Sequence, residues 1–193
     1  MNYQDRVRDV FAELKQSGDI EDILRYSIAI ENGNLVCISE LYAEDDGMIA
    51  LLAKWRQEAV ELHDQFEVTF ESTKKWLREF VLDVPDRILF LVLDKHGQRI
   101  GHIGFAHVLN EERLMEIDLV VRGVRGVAPG IMSLAATALF GWANQTIQPK
   151  GFCVHTLGSN AHAIQFYTRL GFEFESKELK QGEYHIRMRK DAV

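Results

Sequence analysis

Two cysteines and three prolines in 193 residues set the first limits on this chain. Cys37 and Cys153 both lie in apolar, strand-like runs (LVCIS and GFCVH), so buried free thiols are expected rather than a disulfide framework or a metal site. The prolines fall at 85, 129 and 149, leaving the first 84 residues without that helix breaker. No apolar run approaches the roughly 20 residues that a membrane span needs. The N-terminus, MNYQDRVRDVF, has no apolar h-region, so no signal peptide is expected and a cytoplasmic location is the default. Basic residues are not in excess either. Lys and Arg total 22 against 29 Asp and Glu, and the net charge of −7 argues against non-specific nucleic-acid binding. A local basic pocket for a phosphorylated ligand stays compatible with that balance. Internal repeats and low-complexity tracts are also missing.

What remains is an ordinary globular composition, 47% hydrophobic and 26% charged, at the usual size of one domain with an appended terminal element. Residues 4–16 carry Val7, Val10, Phe11 and Leu14 at helical spacing and stop at Gly18. Asp19 can cap a second short helix, and NGN at 32–34 signals a turn. Leu35–Leu41 reads as a strand, 46–62 as a helix, and 70–82 as a helix capped by Thr69. From Arg87 the pattern changes to RILFLVLD, the turn KHGQ, RIGHIGFAHVL, the turn NEER and LMEIDLVV, three strands in succession. A helix from about Pro129 to Asn144, a strand at 151–157, a helix near 160–170, and strands at 172–175 and 184–190 complete the order. Mixed helices and strands around one sheet place the fold in the α/β (α+β) class.

Two stretches carry chemistry. In LMEIDLVVRGVRGVAPGIMSLA a strand runs through a glycine-bearing turn into a helix. Such a turn aims backbone N–H groups and the positive helix end at one point, which suits a pyrophosphate. Gly126 and Gly130 allow close approach, Arg125 adds a charge, and Pro129 suits a first helical position. Taken alone, the stretch is equally well a plain turn with a helix start. In SNAHAIQFYTRLGFEFE, Asn160 is a good N-cap and Gly171 a natural C-terminal stop. Asn160, Ile164 and Tyr167 fall on one side of that helix. A mid-helix Tyr is ordinarily half-buried core.

Taken together, the pieces resemble the GNAT superfamily of coenzyme-A-dependent N-acyltransferases. That family carries Q/R-x-x-G-x-G/A at a helix start and, further on, N-x-x-A-x-x-x-Y-x-x-x-G-F. Here the first motif is Arg125-Gly126-Val127-Ala128-Pro129-Gly130, and the second is Asn160, Ala163, Tyr167, Gly171 and Phe172. The resemblance implies a mixed, mostly antiparallel central sheet flanked by helices over residues 34–193. Residues 1–33 lie outside it and are expected to form an N-terminal helical extension, whose amphipathic helix packs on the sheet or on a second subunit of a homodimer. The resemblance also implies acetyl-CoA as cosubstrate and no metal. The amides of Gly126, Val127, Ala128, Gly130 and Ile131 would bind the pyrophosphate with Arg125 beside them, and the strand through Val120 and Val121 would pair with the pantetheine arm. Asn160 would bond the cofactor near its amide linkages, and Tyr167 would be the general acid beside the sulfur. Ala128 departs from the motif glycine, and Pro129 removes a donor.

The acceptor implied is a primary amine. Glu116 and Asp118 share one side of their strand and are the candidate bases, with Glu116 preferred. His102 and His107 alternate on the preceding strand, where packing is the usual role. The stretch KWRQEAVELHDQFEVTFESTKKWL resembles the branch containing ribosomal-protein N-terminal and nucleotide amino-sugar acetyltransferases. Trp55 could stack on a base or sugar and Arg56 could pair with a phosphate or carboxylate, or both could be structural. The leading expectation is an N-acetyltransferase acting on a small metabolite, such as a nucleotide-linked amino sugar. The alternatives are an acetyltransferase for protein N-termini and a non-catalytic acyl-CoA-binding domain.

Overall fold

The computed structural model describes residues 1–59 and 67–192. Its first helix, α1 (Tyr3–Lys15), is capped by Asn2, whose Oδ1 accepts the Asp5 amide at 2.9 Å. Val7, Phe11 and Leu14 lie on one side of α1 and are buried against the sheet. Lys15 closes the helix with its Nζ donating to the carbonyl of Val84 at 2.6 Å. Asp19 caps α2 (Ile20–Arg25) as its position suggested.

Within residues 1–33 the chain also forms a strand, β1 (Ile28–Ile30), which turns back into β2 (Gly33–Cys37). Three residues are too few for a periodic signal, and neighbouring strands supply what local pattern cannot. The expected strand Leu35–Leu41 therefore starts earlier and stops at Cys37. Beyond it Ser39 donates to the carbonyl of Ser17 at 2.8 Å, and the chain enters α3 (Glu40–Ala43).

Next come α4 (Asp46–Ala59) and α5 (Phe70–Trp76), the latter capped reciprocally by Thr69 and Ser72. Positions 60–62 of the helix expected over 46–62 lie outside the described residues. After Trp76 the helix widens into a π-helical segment, Leu77–Leu82, that periodicity alone did not distinguish from α-helix.

The hairpin β3 (Ile88–Asp94) and β4 (Arg99–Ala106) turns at Lys95–Gln98, where Asp94 Oδ1 accepts two backbone amides. It is followed by β5 (Leu114–Arg122), α6 (Ile131–Thr146), β6 (Gly151–Leu157), α7 (Ala161–Arg169), β7 (Glu173–Lys180) and β8 (Glu183–Asp191). Helix α6 begins two residues after Pro129, with Gly130 as its left-handed cap at φ 78°.

The strands form one open sheet in the order β1-β2-β3-β4-β5-β6-β8-β7, antiparallel everywhere except between β5 and β6. On one face α1, α6 and α7 cover a large apolar cluster. Phe105, Phe140, Phe152 and Phe172 stack through it with centroid separations of 4.6–6.3 Å. On the other face α3, α4 and the π-helical segment cover a smaller cluster around Trp55, Leu52, Leu77, Leu89 and Leu91. The fold is thus the mixed, mostly antiparallel sheet with flanking helices that the resemblance implied.

Candidate active site

The seam between β5 and β6 opens into a gap. Their parallel register runs only from Leu114 opposite Gly151 to Glu116 opposite Cys153, although β5 continues to Arg122 and β6 to Leu157. Beyond Glu116 the β6-facing edge of β5 makes no strand pairing among the described residues. An extended chain with amide groups could pair there as an added strand.

A β-bulge lies in the same stretch. Gly104 opposes Asp118 and His102 opposes Val121, so Leu119 and Val120 together face Ile103. Leu119 takes φ 53°, a left-handed conformation that a non-glycine residue holds only when its surroundings demand it. The Leu119 amide donates to Asp118 Oδ1 at 2.8 Å, and the Leu119 carbonyl lies 2.6 Å from His102 Nδ1. A carbonyl only accepts, so the ring is the Nδ1–H tautomer. The bulge also resets the side-chain alternation. Ile117 and Val120 pack on the α6 side, whereas Leu119 and Val121 pack on the α4 side.

Past the bulge the chain enters the glycine-bearing loop. Gly126, Ala128 and Gly130 have φ of 81°, 45° and 78°, the alternation that turns successive amides toward one concavity. Ala128 therefore adopts the conformation that the motif glycine would supply. The amides of Arg125, Gly126, Val127, Ala128 and Gly130 make no hydrogen bond among the described residues, while Ile131 N–H donates to Ala128 O at 3.2 Å. The carbonyls are held from beneath by Arg122. Its Nε donates to Val124 O at 3.1 Å, and its Nη2 donates to Val127 O and, at 3.4 Å, to Ala128 O. Arg125 itself is exposed. With carbonyls anchored and amides left without partners among the described residues, the loop suits an anionic ligand.

Three titratable groups meet at the gap. Glu116 accepts from His155 at 2.8 Å, a contact across the β5–β6 seam. Asp118 is mostly buried, which lifts its carboxyl above the usual range, and Arg87 at 3.5 Å opposes that rise. Tyr167 is 7% exposed, packed edge-on to Phe166 and Phe172. Burial, then the charges of Asp118 and Glu116, hold its hydroxyl well above the ordinary phenol range. The phenol is rooted on the α6 side yet feels carboxylates on the opposite face, so it reaches the seam. Its hydroxyl has no hydrogen bond among the described residues.

Asn160 is the N-cap of α7, with Oδ1 accepting the Ala163 amide at 3.0 Å, and its amide nitrogen remains the group open to a ligand. Gly171 closes the helix at φ 86°. Trp55 is corrected from a substrate contact to core. It is 1% exposed, its ring lies 6.0 Å from that of His102, and it fills the space over Gly123, where a Cβ would come within 2.0 Å of it. Arg56 donates to Thr73 at 2.9 Å and lies over the Trp76 ring at 4.4 Å. His102 is buried, and burial pushes its pKa down to about 4, so the ring is neutral. Cys37 and Cys153 are both free and buried. Among the described residues no cluster of three or more His, Cys, Asp or Glu is placed to hold a metal ion, and no helix is long and apolar enough to cross a membrane.

Sequence reasoning missed His155 and Arg122. Finding the first requires knowing that β5 and β6 are neighbours. The second follows an arginine at a strand end and was available from the sequence, but its target carbonyls lie in a loop whose turn is not locally encoded.

The family model of the acetyltransferase (GNAT) domain matches residues 36–173. The chain belongs to this family. A curated relative, the N-acetyltransferase 9-like protein of Caenorhabditis briggsae, is 25% identical over 118 residues, 55% of this chain and 57% of that protein. The chain thus spans little more than half of that relative. Among solved structures, ribosomal-protein-S5-alanine acetyltransferase from Vibrio fischeri superposes with TM-score 0.69 at 18% identity, covering 86% of this chain and 96% of that one. The ribosomal L7/L12 N-acetyltransferase RimL in complex with coenzyme A gives 0.70 at 15%, covering 86% and 97%. Spermidine/spermine N-acetyltransferase SpeG from Vibrio cholerae gives 0.63 at 13%, covering 83% and 93%. At these identities the structures attest the shared fold.

Proposed function

We propose that this protein transfers an acetyl group from acetyl-CoA directly to a primary amine of a small metabolite. The observation that carries this reading is the joint occurrence of three features at β5: the loop that follows it has amides without partners among the described residues, its edge is unpaired beyond Glu116, and a buried phenol is electrostatically coupled to two of its carboxylates. The amides of Gly126, Val127, Ala128 and Gly130 would hold the phosphates, with Arg125 adding charge from solvent. Val120 and Val121 lie on the open stretch of β5, and Asn160 can donate to a carbonyl of the extended arm. When bound, acetyl-CoA supplies the activated acyl group.

The chain's own residues would manage the protons. An amine arrives as its ammonium and must lose a proton, which Glu116 accepts at its carboxylate, with His155 bonded behind it. Asp118 adds negative charge that favours a cationic acceptor near the gap. Burial and both carboxylates keep Tyr167 protonated in the resting protein. Once Glu116 has taken the amine's proton its negative charge is gone, that opposition eases, and the phenol can give its proton to the departing thiolate. Since Ala128 holds the left-handed turn in place of glycine, the altered motif argues for an intact loop rather than a lapsed one.

With Trp55 buried, stacking on a nucleotide base loses its main support, and a polyamine-like or amino-sugar amine is favoured over a nucleotide-linked one. A peptide N-terminus is the second reading, supported by the similarity to ribosomal-protein acetyltransferases. Thiol release from acetyl-CoA, followed with a panel of polyamines, amino sugars and short peptides, tests the proposal. Wild-type turnover should fall by about 10²-fold or more in Tyr167→Phe. Binding of acetyl-CoA without turnover on any amine would refute the enzyme reading.

A further inference from the structure

The His102 side chain makes no hydrogen bond to a candidate ligand-binding group, yet it is 1% exposed with a 2.6 Å bond to a strained peptide. A buried imidazole must justify its desolvation, and this one makes a single hydrogen bond, to Leu119 O. Its Nε2 has no partner among the described residues. The bond meets the one residue of β5 with left-handed φ, at the point where the strand changes alternation.

The consequences of that change run toward the loop. Without the extra residue, positions 118, 120 and 122 would share a side with Glu116. With it, Val120 packs on the α6 side. Arg122, two residues on, shares that side and reaches the carbonyls of Val124, Val127 and Ala128. The strand end is fixed again at Gly123 and Val124, whose amides both donate to Ile100 O at 2.9 Å, under the Trp55 ring.

We propose that His102 is a positioning residue: by holding the Leu119 peptide in the bulge, it directs Arg122 beneath the 124–130 loop and so sets the anion-binding amides. It acts through Arg122 and touches neither acceptor nor acyl donor. The kinetic side of this inference rests on the acetyl-transfer reading above.

A double-mutant cycle tests it. His102→Leu and Arg122→Met should each raise KM for acetyl-CoA by about tenfold, the worth of one charge-assisted hydrogen bond. The double variant should be no worse than either single one, because both break the same chain of contacts. His102→Asn should stay within about threefold of wild type, since its amide nitrogen falls where Nδ1 was and still donates to Leu119 O. His102→Gln, whose nitrogen falls nearer the Nε2 position, should behave like the leucine variant and serves in its place should leucine fail to fold. Multiplying effects in the double variant, or an asparagine no better than glutamine, would overturn the proposal. Hydrogen exchange of the 119–124 amides keeps the test independent of turnover. Protection should fall alike in His102→Gln and Arg122→Met and return in His102→Asn. A wild type inactive on every amine would defeat the acetyl-transfer reading while leaving that exchange pattern to decide the role of His102.

Discussion

The two faces of the sheet are built from different materials. The α6 side is mostly hydrocarbon, with Phe105, Phe140 and Phe152 in mutual contact, Phe172 against Phe140, and the apolar edges of α1 and α7 closing over them. The α4 side interleaves Trp55, Leu52 and Leu77 with His102, and its strand β5 presents Glu116 and Asp118. The first face secures the architecture. The second bears groups whose protonation matters, and it can do so because its apolar packing is less extensive. Tyr167 links them, anchored in the first and electrostatically coupled to the second.

Removing packing from the α6 side should have the largest effect. Phe152→Ala should cost about 3–5 kcal/mol, seen as a lower urea midpoint, because the ring is fully buried between Phe105 and Phe140. A loss below about 1 kcal/mol would mean the aromatic stack is not what holds that face.

On the other face the urea midpoint should barely move while chemistry does. Glu116→Gln should lower kcat by about 10²–10³, and Asp118→Asn by less, since the amide oxygen still accepts from Leu119 N–H. The reverse ranking would move the base to Asp118.

Acid should weaken the same face. His102 titrates near its ordinary value when unfolded and at about 4 when folded, so the unfolded chain takes up its proton first. The stability tied to the neutral ring is complete above about pH 6.5 and declines as pH falls toward about 4, by roughly 3 kcal/mol in all. Urea unfolding across that range should show the decline in wild type and a flatter profile in His102→Asn. Equal slopes would assign the acid sensitivity elsewhere.

The smallest change concerns the loop. Ala128→Gly relieves a left-handed alanine but adds unfolded-state entropy, so stability should shift by less than about 1 kcal/mol with KM for acetyl-CoA unaltered. A large gain in affinity would show that the alanine distorts the amides after all.

Much of this arrangement was legible beforehand, and the reasons are local. Asn160 with Ala163, and Gly171 at a helix end, are capping geometries encoded within a few residues, so they were readable. The hairpin at Asp94–Gln98 follows the same logic. Three features were not readable. Ile28–Ile30 is a strand only because Gly33–Leu35 lies beside it. Leu119 sits in a bulge with its carbonyl bonded to His102 and its amide to Asp118, and nothing in LMEIDLVV signals an extra residue. Trp55 looked available beside Arg56, yet Gly123 leaves a recess that its indole fills.

The short β5–β6 register has a mechanical corollary. Three residue pairs stitch a five-stranded wing, β1 to β5, to a three-stranded one, β6, β8 and β7. A guest laid along the unpaired edge would act as a splint, adding main-chain bonds where the described residues supply none. The stability of the folded sheet against unfolding would then rise by RT ln(1 + [L]/Kd). In the absence of such a guest, the joint between the wings is where the molecule should first come apart.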